Sequence, residues 1–295
     1  MSRSVLVGVD SHNTAAVAST ADHLGRLLGL KVALVHAIQD VGAYPYGNSA
    51  ERERRRFRAE RSADRLLEDA GWECRTGERQ IVYGPAASSL IEASDDEDAA
   101  LLVIGSRGRG PIRSTFSGSV SQEVVKRSRW PVVIVPPGMN QPRPERRGEP
   151  EAFRPSVVCG VGATDGPVDH VVAAAELCSH SGLDLVLVHV VPPRTPPEST
   201  LDRAVRSAIA AAPNGAIAIR AGIEVGTPAK ELLRVAALVG AELIVVGSDR
   251  LGPLAASLLG STSNTLANES NRPVMVVPEE VRLELTPNTT PVTAA

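Results

Sequence analysis

Residues 105–121, GSRGRGPIRSTFSGSVS, gather the groups that handle anions. Gly105, Gly108 and Gly110 let a backbone come close to a ligand and reach positive φ. Arg107 and Arg109 bring charge that can meet phosphate oxygens, and Ser119 and Ser121 bring hydroxyl donors. Gly118-Ser119 opens a helical pattern, whose free N–H groups and positive dipole end favour phosphate. Asp10 closes an earlier apolar run, Gly8-Val9-Asp10, with a carboxylate. It could accept hydrogen bonds from a ribose hydroxyl or a base, or hold a metal through water. The same glycines also suit a tight turn with Ser119 as a helix cap, and residue chemistry alone leaves both readings open.

The elements that must position these groups are written twice. SVLVGVDS (4–11) returns as SVVCGVGA (156–163), and KVALVHAI (31–38) as DLVLVHVV (184–191). VYGPAASSLIEA (82–93) returns as EVGTPAKELLRV (224–235), LLVIGSRG (101–108) as LIVVGSDR (243–250), and RWPVVIVPP (129–137) as NRPVMVVPE (271–279). The last three pairs hold one offset of 142 residues, while the first two stand at 152 and 153. The first copy therefore carries roughly ten extra residues before Gly84. Two copies of this length are domains and not solenoid units.

Within each copy, strand-length Val/Ile/Leu runs alternate with segments of helical period. In copy one the expected strands lie near 4–9, 31–37, 79–83, 100–104 and 131–136, and the helices near 13–28, 49–70, 86–95 and 118–128. Ala16, Leu24, Leu27 and Leu28 share one helical face. This alternation predicts a parallel sheet with helices on both faces. In such a sheet ligands bind beyond the carboxyl ends of the strands, where the strand order reverses. If the first and fourth strands are neighbours, Asp10 and the glycine loop face one another across one crevice. The segment 138–155, GMNQPRPERRGEPEAFRP, has linker chemistry, and RLELTPNTTPVTAA at the end reads as a loose tail.

Composition agrees with this frame. The 295 residues are 43% hydrophobic but only 3% aromatic, so aliphatic side chains must build the cores, as parallel sheets favour. A net charge of −3 argues against non-specific nucleic-acid binding by the whole chain. Three scattered cysteines give no zinc or disulfide pattern, and a reducing, cytoplasmic setting is expected. There is neither a signal-peptide layout nor an apolar run long enough for a membrane span.

The spacing Gly105-x2-Gly108-x9-Gly118-Ser119 resembles the ATP-binding signature of the universal stress protein family, G-x2-G-x9-G-[S/T]. VLVGVDS, LVIGSRGRG, GSVS and PVVIVPP extend the likeness, which covers nearly the whole chain apart from linker and tail. The resemblance implies adenine and ribose contacts from Val9, Asp10, a position near Ala37, and Ile104. It implies phosphate contacts from Gly105, Arg107, Gly108, Gly118, Ser119, Val120 and Ser121. It also implies Mg²⁺ or Mn²⁺ with the triphosphate, and pairing through the fifth strand, which a tandem chain can make internally before dimerising again. The expected fold is α/β. It has two tandem doubly wound domains, each a five-stranded parallel sheet in the order 3-2-1-4-5 flanked by helices, packed as a pseudo-dimer. Their expected bounds are 1–138 and 155–281, with linker 139–154 and a flexible tail at 282–295.

Copy two departs from the pattern. Asp10 becomes Gly162 and Gly108 becomes Arg250, while Gly247, Gly260, Ser261, Thr262 and Ser263 keep the outline. A weakened or absent second site is therefore expected. The chain reads as an ATP-binding stress or regulatory protein with no catalytic residue assigned. Slow ATP hydrolysis, autophosphorylation at Ser114, Thr115 or Ser117, and a nucleotide-free adaptor are the alternatives. ERERRRFRAER (51–61) reads as a solvated helix face with i,i+4 pairs, and His36 and His189 as packing or rim residues. Cys159 reads as core and Asp95–Asp98 as an acidic surface run. No Walker, HExxH or GxSxG motif is present.

Overall fold

The computed structural model describes residues 3–39, 48–74, 77–106, 119–137, 139, 155–162, 168–193, 200–212, 217–248, 260–281, 283 and 285. In the first copy the aliphatic runs form β1 (Ser4–Gly8), β2 (Lys31–Ile38), β3 (Gly77–Tyr83), β4 (Ala99–Gly105) and β5 (Val132–Val135). Between them lie α1 (Thr14–Leu28), α2 (Ser49–Glu73), α3 (Ala86–Asp96) and α4 (Ser119–Arg127). The second copy repeats the order as β6 (Ser156–Val161), α5 (Asp169–Ser181), β7 (Asp184–Val191), α6 (Thr200–Ala211), β8 (Ile219–Val225), α7 (Pro228–Leu238), β9 (Leu243–Gly247), α8 (Ser261–Glu269) and β10 (Val274–Val277).

All the strands join one sheet, in the order β3-β2-β1-β4-β5-β10-β9-β6-β7-β8. Pairing is parallel within each copy. The copies meet where β5 and β10 run antiparallel, with Met275 opposite Val133. These two residues are equivalents at the 142-residue offset, so a pseudo-twofold axis passes between them.

Two apolar layers cover the sheet, as expected when βαβ crossovers place helices on both faces. On one face Val17, Ala21, Leu24 and Leu28 of α1 and Leu67 of α2 pack with Val171, Leu177, Ala204 and Ala208 of α5 and α6. On the other, Leu90 of α3 and Val124 of α4 pack with Leu232 of α7 and Leu266 of α8. Across the junction, His23 Nε2 of α1 donates to Glu242 Oε2 of the second copy at 2.9 Å.

Two sequence expectations change. α2 runs on to Glu73, because Leu67 and Ala70 keep the helical spacing and both are buried. The expected tail from 282 is not loose at Leu283. That side chain is fully buried, and its N–H donates to Glu176 Oε2 of α5 at 3.2 Å. The alternation Leu283-Glu-Leu285 returns two leucines to the α5 side of the core, a period-2 pattern too short to stand out in sequence. Most of the linker, and the tail beyond Leu285, lie outside the described residues.

The arginine-rich stretch is an exposed face of α2, where Arg56 Nε donates to Glu60 Oε1 at 2.9 Å. The hydroxyl of Tyr83 donates to the same oxygen at 2.7 Å, and together they hold the Glu60 carboxyl below its ordinary range. The acidic run is an anchor as well as a surface. Asp95 Oδ1 accepts from Trp130 Nε1 at 3.0 Å, and Asp98 lies 3.6 Å from Arg3.

Candidate functional site

β1 lies between β2 and β4, and the strand order reverses there. Gly8 pairs with Ile104 on one side and with Val35 on the other. A crevice opens at the carboxyl ends of these strands, lined by Gly8, Val9, Asp10, Val35, His36, Ala37, Ala86, Leu90, Ile104, Gly105, Val120 and Ser121. Its volume is about 80 Å³. Small-molecule pockets span roughly 300–1,000 Å³, well above the space these residues enclose.

Glycine at position 8 is a packing requirement. A Cβ there would lie 3.0 Å from Leu90 Cδ1 and 3.2 Å from Ile104 Cγ2, both crevice-lining side chains. At Gly105 a Cβ would meet Val17 Cγ2 at 3.2 Å. The absence of a side chain at Gly8 keeps the floor low where backbone can approach a ligand, and its absence at Gly105 lets α1 pack close to the end of β4.

Asp10 sits on a clamped turn. Its Oδ1 accepts the N–H of His12 at 2.8 Å, and its carbonyl accepts the hydroxyl of Thr14. Asn13 holds the left-handed region at φ 58°, a conformation asparagine tolerates better than most residues. Its Nδ2 donates to the Pro136 carbonyl at 2.9 Å, tying the turn to the end of β5. His36 Nδ1 donates to the Val9 carbonyl at 2.7 Å and fixes the strand end beside Asp10. The Asp10 side chain is 30% exposed at the crevice.

Of the residues expected in the first site, Val9, Asp10, Ala37, Ile104, Gly105, Val120 and Ser121 converge on this crevice. Ser119 begins α4. Arg107, Gly108 and Gly118 lie outside the described residues. Ser121 also braces the frame. It is 3% exposed, and its hydroxyl donates to the Gly105 carbonyl at 3.0 Å. Its one proton is thereby committed to bracing the helix start against the strand end. Sequence reasoning missed Leu90 and Ala86, supplied by α3, and the roles of His36 and Asn13. The pairing of equivalent His36 and His189 was the available signal for the first of these roles.

The second copy repeats the bracing. His189 Nδ1 donates to the Val161 carbonyl at 2.9 Å, and Ser263 Oγ to the Gly247 carbonyl at 3.4 Å. The floor differs. At Gly162, Asp10's equivalent, a Cβ would have no atom within 4 Å. At Gly247 it would meet His170 Nδ1 at 2.9 Å, where copy one presents the Val17 methyl. Gly260 caps α8, Ser261 and Thr262 follow in its first turn, and Arg250 lies outside the described residues.

Among the described residues, no group of three or more His, Cys, Asp or Glu side chains gathers as a metal site. No helix among them is long and apolar enough to cross a membrane.

The model of the universal stress protein family matches residues 1–136 and again 155–278. A universal stress protein of Mycolicibacterium smegmatis is 30% identical over 300 residues, covering 92% of this chain and 96% of the relative. One from Mycobacterium tuberculosis is 27% identical over 299 residues, with the same coverage. Among solved structures, a universal stress protein from Archaeoglobus fulgidus shares the fold with a TM-score of 0.70 at 20% identity, covering 94% of this chain and 99% of that one. Two family matches that between them span most of the chain, carried on the repeated strand–loop–helix unit described above, make this chain a tandem member of the universal stress protein family.

Proposed function

We propose that the chain is an ATP-binding regulatory protein that holds its nucleotide in the first copy, with a first domain at 1–138 and a second that runs from 155 through Leu285. The observation that carries this reading is the convergence of Gly8–Asp10, Gly105 and the start of α4 on one crevice at the reversal of strand order. Each part has a matching task. Val9, Ala37 and Ile104 offer an apolar and backbone-lined wall for adenine. Asp10 offers an acceptor for ribose hydroxyls. The N-terminus of α4 and the arginines of the glycine loop offer charge and N–H donors for phosphates.

Mg²⁺ or Mn²⁺ would be held chiefly by phosphate oxygens, with Asp10 as the carboxylate at the crevice. The bound ion would neutralise phosphate charge. This chain's residues orient the nucleotide. In copy two Gly162 offers no carboxylate, and His170 stands at the strand end, which supports a weak or absent second site.

Titrating ATP into the intact protein and counting sites tests the proposal. A stoichiometry near one per chain is expected, with bound ATP recovered intact. A value near two overturns the single-site reading, absence of measurable affinity overturns nucleotide binding, and steady ADP release replaces the regulatory reading with an enzymatic one.

A further inference from the structure

Internal pairing of β5 with β10 uses both fifth strands, so the sheet ends at β3 and β8. Open edges are usually blunted by Lys, Pro, a bulge or shortness. β8 runs for seven residues, IRAGIEV, without Lys or Pro, and its two charges, Arg220 and Glu224, are of opposite sign. Ile223 is 41% exposed and Val225 59%. Among the described residues no strand lies beyond it.

The backbone register defines what this edge can accept. The carbonyl of Ala218 accepts from Leu185, and the N–H of Gly226 donates to Val191. Even-numbered residues of β8 therefore turn their polar groups toward β7. The odd-numbered Ile219, Ala221, Ile223 and Val225 turn theirs to the open edge. A second β8 laid antiparallel with Gly222 opposite Gly222 brings Ile219 opposite Val225 and Ala221 opposite Ile223. These are the hydrogen-bonded pairs, and all use the outward backbone groups. Arg220 then stands opposite Glu224 twice, in non-hydrogen-bonded pairs, where side chains approach most closely. Sliding the register by two residues on the partner removes this charge pairing. Sliding it by four sets Arg220 against Arg220, or Glu224 against Glu224.

The strand is thus self-complementary in backbone, apolar contact and charge about a single centre. The opposite edge is not. In β3 the charges Glu78 and Arg79 are adjacent, so no hydrogen-bonding register places one opposite the other. Pairing of β8 with β3 of another copy would be head-to-tail and would not close.

We propose that β8 is the pairing edge of a symmetric homodimer, in which a second copy of this chain adds its own β8 antiparallel about Gly222 and joins two ten-stranded sheets into one. Arg220 now meets Asp184 only at 4.0 Å, and Glu224 meets Arg234 at 2.5 Å. Pairing would extend these contacts into a charge cluster across the dimer axis, on the face that carries α7.

Sedimentation of the full chain over a concentration series measures the association. A monomer–dimer equilibrium is expected. Arg220→Glu should raise its dissociation constant at least tenfold, and the swap Arg220→Glu with Glu224→Arg should bring it back to within about threefold. Gly222→Cys tests the register directly. A Cβ there meets no atom within 4 Å. Facing Cα atoms of such a pair lie about 4.5 Å apart, inside the range a disulfide spans. Oxidation should cross-link this variant, and not the parent chain, whose three cysteines are buried. A chain that stays monomeric, a dimer indifferent to Arg220→Glu, or a dimer of Gly222→Cys that does not cross-link would each overturn the proposal.

Discussion

Replacing Asp10 with alanine removes the carboxylate from the first crevice while leaving the fold's layers untouched. A hydrogen bond to a charged group contributes about 1.5–3 kcal/mol. The side chain is 30% exposed, which places the loss toward the lower end of that range. The expected weakening is about 1.5–2 kcal/mol, or roughly 10–30-fold in Kd. Long-range electrostatics work in the other direction. Taking a negative charge away from a polyanion's site favours binding by a few tenths of a kcal/mol per phosphate charge at about 10 Å in water. The sign of the change therefore separates ribose recognition from simple repulsion. Calorimetric titration with ATP and with its 2′- and 3′-deoxy forms completes a thermodynamic cycle. The parent chain should discriminate against at least one deoxy form, and Asp10→Ala should abolish that discrimination. Affinity that is unchanged or tighter, or discrimination that survives the substitution, would refute the assignment of Asp10 to the ribose.

The pseudo-symmetry supplies a matched pair of variants. Gly8→Ala sets a methyl 3.0 Å from Leu90 Cδ1, and Gly160→Ala sets one 2.8 Å from Leu232 Cδ1, the equivalent leucine. Overpacking of this kind costs about 1–3 kcal/mol, so both should lower the urea midpoint by similar amounts. Only Gly8→Ala should weaken ATP binding, and equal effects on ATP would contradict placement of the nucleotide in copy one. The buried thiols give a pH signature. Burial pushes Cys159 and Cys178 well above their ordinary value of 9.0, and Cys159 and Asp184 push Cys178 further. The unfolded chain loses these protons first as pH rises. The stability they contribute is therefore full below about pH 8.5, and falls above it with a combined slope of up to about 2.7 kcal/mol per pH unit. Denaturation between pH 8 and 10.5 should show a shallower decline in Cys159→Ala/Cys178→Ala than in the parent, and parallel curves would exclude the linkage.

Most of the fold was legible because two signals agreed at every element. The aliphatic runs have strand length, the segments between them have helical period, and the strand pairs recur at offsets of 152 or 153 before the insertion and 142 after it. One copy's ambiguity is resolved by its repeat. Parts of the site were legible for a different reason: Gly105 and Asp10 carry chemistry in their residue types, and the carboxyl ends of parallel strands are where such types are used. The supports were not. Asn13 reaches Pro136 across 123 residues, and His36 reaches Val9 across 27. Asparagine and histidine have many uses on a surface, and no local pattern marks either reach. Ser121 shows the same limit from the other side. Its residue type marks a hydroxyl donor, and the bond of that hydroxyl to the Gly105 carbonyl follows from the approach of α4 to the end of β4, a tertiary fact.

The two copies separate what the frame requires from what a ligand requires. Both keep a histidine on the second strand that donates to the backbone carbonyl preceding the Asp10 or Gly162 position, and both keep a serine of the fourth helix braced on a glycine carbonyl. Contacts retained in a copy that has lost its carboxylate are needed for folding the strand ends, whatever is bound there. The differences then point to the ligand. Asp10 against Gly162, at the crevice, and Val17 against His170, beside the glycine that ends the fourth strand of each copy, are changes that leave the sheet pairing of β1 and β6 with their neighbours intact. On the proposed reading, a nucleotide site in the first copy would rest on few side chains set into a frame that the second copy builds without them, with the same histidine and serine braces at its strand ends.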